Sequence, residues 1–433
     1  MNVLEKQFKL RENGSDVKTE LLAGGTTFMT MAYIIFVNPT ILSAAGMPFG
    51  SLMSATCFSA AFATLVMAFF ANYPIALAPG MGLNAFFAFT VVLGMGVSWQ
   101  TALAAVFIEG IIFIVLTLTK VREEVIKAVP QELKIGITAG IGLFITFLGL
   151  QGAGIVVANK AVLVSFCDFK SSPAAALALG GVALMALFES LKVRGGILFS
   201  ILAVTAAGIP LGITELPASF AAAPPSLSPI LMKMDFSQLL LPKFWIIVFT
   251  FFFVDFFDTV GAIIGFSQRT GLTDAEGHIP GAGRILMADA VGTTVGAMLG
   301  TSTVTTFIES ASGIEQGGRT GLTALTVAAL FIAASFLSPL VSAVPACATA
   351  PALIIVGVYL MMSIKNLCFD DWSSFFPALT AFFVMPFAYS ISAGMEFGTY
   401  GLVLLKILTG RGRELHPFMY VIALVFLINR ICL

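Results

Sequence analysis

The sequence predicts an all-α polytopic membrane protein with 14 transmembrane spans arranged as two inverted seven-span repeats. Three observations carry that expectation: an apolar composition, an uneven placement of basic residues between the spans, and an interruption at the same position of each half. Of 433 residues, 58% are apolar and 10% charged, with 22 Lys+Arg against 23 Asp+Glu. A soluble domain carries about 25% charged residues. So few charges leave little room for a soluble enzyme, and the balance of signs excludes a nucleic-acid binder. A hydrocarbon layer about 30 Å thick takes about 20 apolar residues per helical crossing. Fourteen crossings leave enough chain for short loops.

Spans 1 to 7 fall at about 21–45, 52–71, 75–95, 100–119, 135–157, 173–191 and 196–213. A polar stretch from Thr214 to Lys243 follows, with Pro217, Pro224, Pro225 and Pro229. It separates a first repeat, 1–213, from a second, 244–433. Spans 8 to 14 fall at about 244–266, 285–300, 301–317, 321–340, 346–364, 374–392 and 395–410. The apolar tail, 416–430, is short enough to lie at the interface. The first 20 residues are polar and charged, so no cleavable signal peptide is expected. The five cysteines and the two histidines (His278 and His416) are scattered, and no metal site is expected of them.

Basic residues concentrate on the inner side of membranes. With the N-terminus inside, 16 fall on inner segments: Lys6, Lys9, Arg11, Lys18, Lys120, Arg122, Lys127, Lys134, Lys192, Arg194, Arg269, Arg284, Arg319, Lys365, Arg411 and Arg413. Only Lys160, Lys170, Lys233 and Lys243 fall outside, and Lys406 and Arg430 near the end are left over. The bias places both termini in the cytoplasm of a cell (inner) membrane protein. Seven spans per half make the second half insert upside down, a signature of secondary transporters.

The third span of each half is broken. Span 3 contains Ala78-Pro79-Gly80-Met81-Gly82-Leu83-Asn84; proline removes a backbone donor and glycine weakens a helix. Span 10 runs Gly300-Thr301-Ser302-Thr303-Val304-Thr305-Thr306-Phe307-Ile308-Glu309. Its β-branched and hydroxyl residues suit an extended segment. Interrupted spans at matching positions point to a binding site near mid-membrane.

Acidic side chains fall inside the spans. Asp255 and Asp258 lie in span 8, Glu309 just past the break of span 10, Glu109 in span 4 and Asp289 near the start of span 9. No Lys or Arg sits mid-span to pair them. Burial without a cation disfavours the charged form, so such a group stays protonated or takes up a proton or cation during function. Asp258 and Glu309 are the chief candidates for this work. Asp255 is left open between a coupling and a packing role. Glu109 is expected to make a structural hydrogen bond and Asp289 to stabilise the start of its helix. Asn84, at the end of the span 3 break, offers a donor and an acceptor side by side. Two carboxyls, an amide and freed backbone N–H groups match a flat, neutral base edged with N–H donors and nitrogen acceptors, as they would match many polar solutes.

At these residues the chain resembles the AzgA-like purine nucleobase permeases of the nucleobase–ascorbate transporter superfamily. The matching stretches are Thr26-Thr27-Phe28-Met29-Thr30-Met31-Ala32-Tyr33-Ile34, Ala78 to Phe86, Phe257-Asp258-Thr259-Val260-Gly261, and Gly300 to Glu309 continuing to Gly317-Gly318-Arg319-Thr320-Gly321. The resemblance implies a core domain, 21–119 with 244–340, and a gate domain, 135–213 with 346–433. Substrate would bind between them, beside the half-helices of spans 3 and 10. It also implies substrate contacts at Asp258, Glu309, Asn84, Gly82, Leu83 and Ile308, and proton coupling at Glu309, Asp258 and Asp255. Two departures matter. After span 10 the chain reads Glu309-Ser310-Ala311-Ser312-Gly313 where the xanthine, uracil and ascorbate branches carry a Pro-Asn-Thr type signature. One turn after Asp258 stands Ala262, where the uracil branch carries histidine.

The functional expectation is import of purine nucleobases (adenine, guanine or hypoxanthine) by proton symport through alternating access. The proton is the coupling ion, no cofactor is needed, and a homodimer is possible. The alternative within transport is a carrier of the same fold for another small polar or anionic solute, and unpaired carboxyls would repel an anion. An intramembrane aspartyl protease is disfavoured, because Gly80-Met81-Gly82 leads into Leu83 and Asp255 and Asp258 share one helix.

Overall fold

The computed structural model describes residues 3–119, 129–217, 219–270 and 281–432; the side chains at 3, 257, 258, 260–270, 429, 431 and 432 lie outside that description. The first half builds α1 (Val3–Phe8), α2 (Val17–Met31), α3 (Ile34–Ser43), α4 (Phe49–Val66), β1 (Leu77–Pro79), α5 (Met81–Ala85), α6 (Trp99–Leu118), α7 (Gln131–Gly152), the hairpin β2 (Val156–Asn159) and β3 (Leu163–Phe166), α8 (Pro173–Ser190) and α9 (Gly196–Gly208). The second half builds α10 (Pro242–Thr270), α11 (Ala282–Leu299), β4 (Val304–Thr306), α12 (Ser310–Glu315), α13 (Gly321–Ala334), α14 (Ser338–Ser342), α15 (Ala346–Met361), α16 (Trp372–Phe387), α17 (Ile391–Leu408) and α18 (Pro417–Cys432). Among the described residues, eight helices are long and apolar enough to cross a membrane, and four shorter apolar helices accompany them. The molecule is a helical, multi-pass membrane protein.

Local chemistry sets several boundaries. Asp16 caps α2, its Oδ1 accepting from the amides of Lys18 (2.9 Å) and Thr19 (3.0 Å). Ser98 caps α6 in the same way through the Thr101 amide (3.2 Å). Between α2 and α3 the ladder tightens: Ile35 and Phe36 bond back three residues, to Ala32 and Tyr33 (3.1 Å each). That break leaves Tyr33 at a corner of span 1. After α5 the chain continues as a π-helical segment, Phe86–Gly94.

The helices pack in two sets. In one, α2 and α4 hold α13, while α6 packs on α10 and α11. In the other, α7 lies against α15, α16 and α17, and α8 against α15 and α9. The sets meet where α5 and α10 touch α7, and where α3 touches α15. Aromatic rings fill the α10 contacts: Phe251 stands edge-on to Phe86 at 4.8 Å, and Phe252 stacks on Phe113 at 4.6 Å. The tail helix α18 joins this layer through Phe426 against Phe249, at 5.6 Å.

The 214–243 connection is packed. Ser51 and Ser54 of α4 donate to the carbonyls of Ser226 (2.8 Å) and Pro225 (2.7 Å). The Met232 amide reaches Met298 O (2.8 Å) at the end of α11. Just beyond, Gly300 has φ +93°, and a Cβ there would stand 2.7 Å from Ile230 of the same connection. Only glycine fits both demands.

Candidate functional site

The two broken spans meet. β1 and β4 pair antiparallel, Leu77 opposite Thr306, Ala78 opposite Thr305 and Pro79 opposite Val304. The ladder extends one bond at each end, from Gly80 N–H to Thr303 O and from Phe307 N–H to Ala76 O, both 3.0 Å. All six strand residues are buried. Backbone polar groups at such depth need protein partners, and hydroxyls supply them. Thr64 of α4 brackets Leu77, accepting from its amide (3.0 Å) and donating to its carbonyl (3.1 Å). Ser310 accepts from the Ala76 amide (3.0 Å), and Thr293 of α11 donates to Val304 O (2.8 Å). The result is a two-stranded bridge from which α5 and α12 start.

Most of the acidic and amide candidates gather on this bridge. Asn84, on α5, is fully buried; its Oδ1 accepts a hydrogen bond from Ser302 Oγ, and its Nδ2 has no partner among the described residues. Glu109 of α6 is fully buried and its Oε2 accepts from Thr303 Oγ1 at 3.0 Å, the structural bond expected for it. Asp255 and Asp289, both fully buried, meet at Thr259. Its hydroxyl lies 3.4 Å from Asp255 Oδ1, 3.1 Å from Asp289 Oδ2 and 3.0 Å from Thr305 Oγ1. Glu309, partly buried at the far end of the segment, accepts from the Tyr33 hydroxyl. Ser312 links the same corner to span 1, donating to Glu309 O (2.7 Å) and pairing with Thr30 Oγ1 (3.0 Å).

Asp289 does not stabilise the start of its helix. α11 begins at Ala282, so Asp289 lies two turns in and its carboxylate is tied to Thr259. The apolar run beginning at Ile285 hid the first turn, because Ala-Gly-Arg does not read as membrane helix. Leu83 is fully buried on α5 and Ile308 is partly buried beside Glu309. Gly82 sits where the two helix sets touch: a Cβ there would lie 2.8 Å from Ile141 Cγ2 on α7. The Asp258 side chain lies outside the described residues.

Sequence reasoning assigned no role to Tyr33, Ser302, Thr259 or Glu20. The first three stand in quoted stretches, but their partners lie far along the chain. Glu20 explains why Gly317-Gly318-Arg319-Thr320-Gly321 is as it is. Fully buried, it accepts from the amides of Arg319 (2.9 Å), Thr320 (3.3 Å) and Thr323 (3.1 Å) and from the Thr323 hydroxyl (2.5 Å). It therefore caps α13 from α2. Asn72 adds a bond from the Gly321 amide to its Oδ1 (2.8 Å).

A second charged group stands apart from the bridge. Lys406, nearly buried, contacts Asp371 (3.1 Å) and Glu414 (2.9 Å), and Arg411 contacts the same two carboxylates (2.9 and 2.7 Å). Hydrogen bonds from Ser373, with Lys406 next, hold the Asp371 carboxyl well below the usual carboxylate range. Arg411 and then Lys406 lower that of Glu414. A crevice of about 380 Å³ between α6, α10 and α18 is lined only by apolar side chains, Phe249 and Phe252 among them. It contains none of the polar candidates and is not where a polar solute would be recognised.

Residues 18–397 match a family model described as Permease family. The chain is 42% identical to the adenine permease AdeP of Escherichia coli (strain K12) over 427 residues, covering 99% of this chain and 96% of that one. It is 42% identical to the guanine/hypoxanthine permease PbuO of Bacillus subtilis (strain 168) over 429 residues, covering 98% and 99%. Among solved structures, the transmembrane domain of a cyanobacterium bicarbonate transporter, BicA, superposes with a TM-score of 0.66 at 16% identity, covering 87% of this chain and 96% of that one. That likeness concerns the fold.

Proposed function

The chain belongs to this permease family, and on that premise we propose that it imports purine nucleobases by proton symport through alternating access. Two relatives that align with 98–99% of it are named as permeases, one for adenine and one for guanine or hypoxanthine. The observation that carries the reading is the β1–β4 bridge, which sets an amide whose N–H edge has no partner among the described residues, and several carboxyls, beside two helix starts. Flat, neutral bases need donors and acceptors at fixed angles. The bicarbonate cargo of the fold neighbour belongs to that protein, which is 16% identical to this chain, and does not transfer.

In this account two inverted seven-span repeats form a core domain carrying the bridge and a gate domain carrying α7. A proton from outside neutralises Glu309 or Asp258. The base then binds across the ends of the half-helices and donates its N–H groups to the carboxyls. The core moves against the gate, and base and proton leave on the cytoplasmic side, where both termini lie. Substrate can drive such a change only by binding the two arrangements differently. A membrane potential adds about 2.3 kcal/mol per charge per 100 mV to inward proton flow. The test is uptake of labelled adenine, guanine, hypoxanthine and uracil by cells expressing the chain, at two external pH values. Saturable purine uptake that rises at the lower pH and collapses with a protonophore is expected. Uptake that ignores both would remove the coupling.

A further inference from the structure

We infer that Ser302 is a positioning residue for base recognition: its hydroxyl anchors the Asn84 side chain by its carbonyl and leaves the N–H edge free, so that Asn84 reads a hydrogen-bond acceptor on the purine. The inference rests on the reading above that Asn84 touches substrate.

An asparagine amide can turn over and present either its carbonyl or its NH2 with little change of shape. A site that uses it for selection has to fix which face is presented. Here Ser302 Oγ donates to Asn84 Oδ1, and a turned amide would reverse that bond, its NH2 donating to the hydroxyl and its carbonyl taking the place of the free N–H edge.

Ser302 can fix Asn84 only if it is itself held, and its neighbours are tied on both sides. Thr301 accepts from Asn38 Nδ2 (3.0 Å), which also reaches Thr56 Oγ1 (2.7 Å), joining the segment to α3 and α4. The Thr301 amide bonds to Gly296 O (3.0 Å). On the other side, Thr303 donates to Glu109 (3.0 Å) and accepts from the Gly80 amide through its carbonyl (3.0 Å). The backbone at Asn84 is equally constrained, its main-chain N–H bonded to Gly80 O at 2.8 Å. Asn84 Nδ2 is a loose donor between these anchored elements, fully buried and without a partner among the described residues. A buried N–H without a partner is costly, and a purine ring nitrogen or 6-oxo oxygen is the acceptor that would satisfy it. The substrate class this selects is purines that keep an acceptor at that one position.

The experiment is competition for purine uptake by a set of analogues, each lacking one acceptor: 1-deaza, 3-deaza and 7-deaza purines, and 6-amino against 6-oxo pairs. Wild type should bind one of these deletions about tenfold more weakly than its parent, the factor expected when a buried donor is left unpaired. Ser302→Ala should shrink that penalty several-fold while still transporting the parent base, and Ser302→Thr, which keeps the hydroxyl, should restore it. Asn84→Ala should abolish it. Surface labelling confirms that each variant reaches the membrane, and should Ser302→Ala not do so, Ser302→Cys, a weaker donor, takes its place. If Asn84→Ala leaves every inhibition constant unchanged, the placement of Asn84 against substrate is wrong. If Asn84→Ala removes the penalty but Ser302→Ala keeps it in full, Asn84 binds the base and the role of Ser302 is refuted. A wild type indifferent to all the deletions overturns the inference outright.

Discussion

Replacing Gly82 with alanine puts one methyl group into the contact between α5 and α7. The added Cβ would stand 2.8 Å from Ile141 Cγ2, roughly 0.7 Å inside the shortest comfortable carbon–carbon separation of about 3.5 Å. Overpacking of this kind costs about 1–3 kcal/mol. The better helix propensity of alanine, up to about 1 kcal/mol, favours α5 wherever it moves and does not change the balance between arrangements. A penalty of about 1–3 kcal/mol therefore falls on the arrangement in which α5 touches α7, a factor of about 5–150 in its population. If transport cycles through this contact, Gly82→Ala lowers the maximal uptake rate by a similar factor. Ile141→Ala removes the opposing methyl, so Gly82→Ala/Ile141→Ala should recover most of the rate. The assay is initial-rate uptake against base concentration for wild type, both single variants and the double, normalised to surface protein. A double variant no faster than Gly82→Ala would refute the packing argument and return Gly82 to direct contact with substrate. So would wild-type kinetics in the single variant.

Two further outcomes follow from groups away from the bridge. Glu20→Ala strips four hydrogen bonds from the start of α13 and leaves the Arg319, Thr320 and Thr323 amides, the last two buried, without that acceptor. A lost cap alone costs about 0.5–2 kcal/mol. A clear drop in the unfolding temperature of the detergent-solubilised protein is expected, and an unchanged value would show that Glu20 does not hold α13. The group around Lys406 sets an acid limit. Asp371 and Glu414 have carboxyls held below their ordinary range; depressed folded values contribute stability that is present above the unfolded range and lost as pH falls through the folded one. Thermal stability should be flat above the ordinary carboxylate range and decline below it, less steeply in Lys406→Met. An identical decline in that variant would remove this group as the cause.

The positions of both interruptions were legible in sequence, because Pro79, Gly80 and Gly82 break a helix and Val304, Thr305 and Thr306 favour extension by local chemistry alone. Their pairing was not, since Leu77 and Thr306 meet across more than half the chain. The same distance hid Tyr33 against Glu309 and Ser302 against Asn84. Glu20 read as one more polar residue of the N-terminal tail, although it is buried as the cap of a helix that starts at Gly321. Asp289 was misjudged because helix start was inferred from hydropathy, and Gly281, with φ +74°, begins the turn three residues before Arg284. The burial of Glu109, Asp255 and Asp289 was legible from their positions inside apolar spans. What holds those carboxyls is hydroxyl chemistry from Thr259 and Thr303, which carries no signal of its own in one sequence.

Purine accumulation in proteoliposomes under an inward pH gradient tests most directly whether protonation of buried carboxyls drives transport. The wild-type protein should concentrate base above the external level and lose that capacity when a protonophore is added. Glu309→Gln and Asp258→Asn should each equilibrate base at best, while still being incorporated in the membrane. Concentrative, gradient-driven uptake that persists at the wild-type level in both variants would contradict the account.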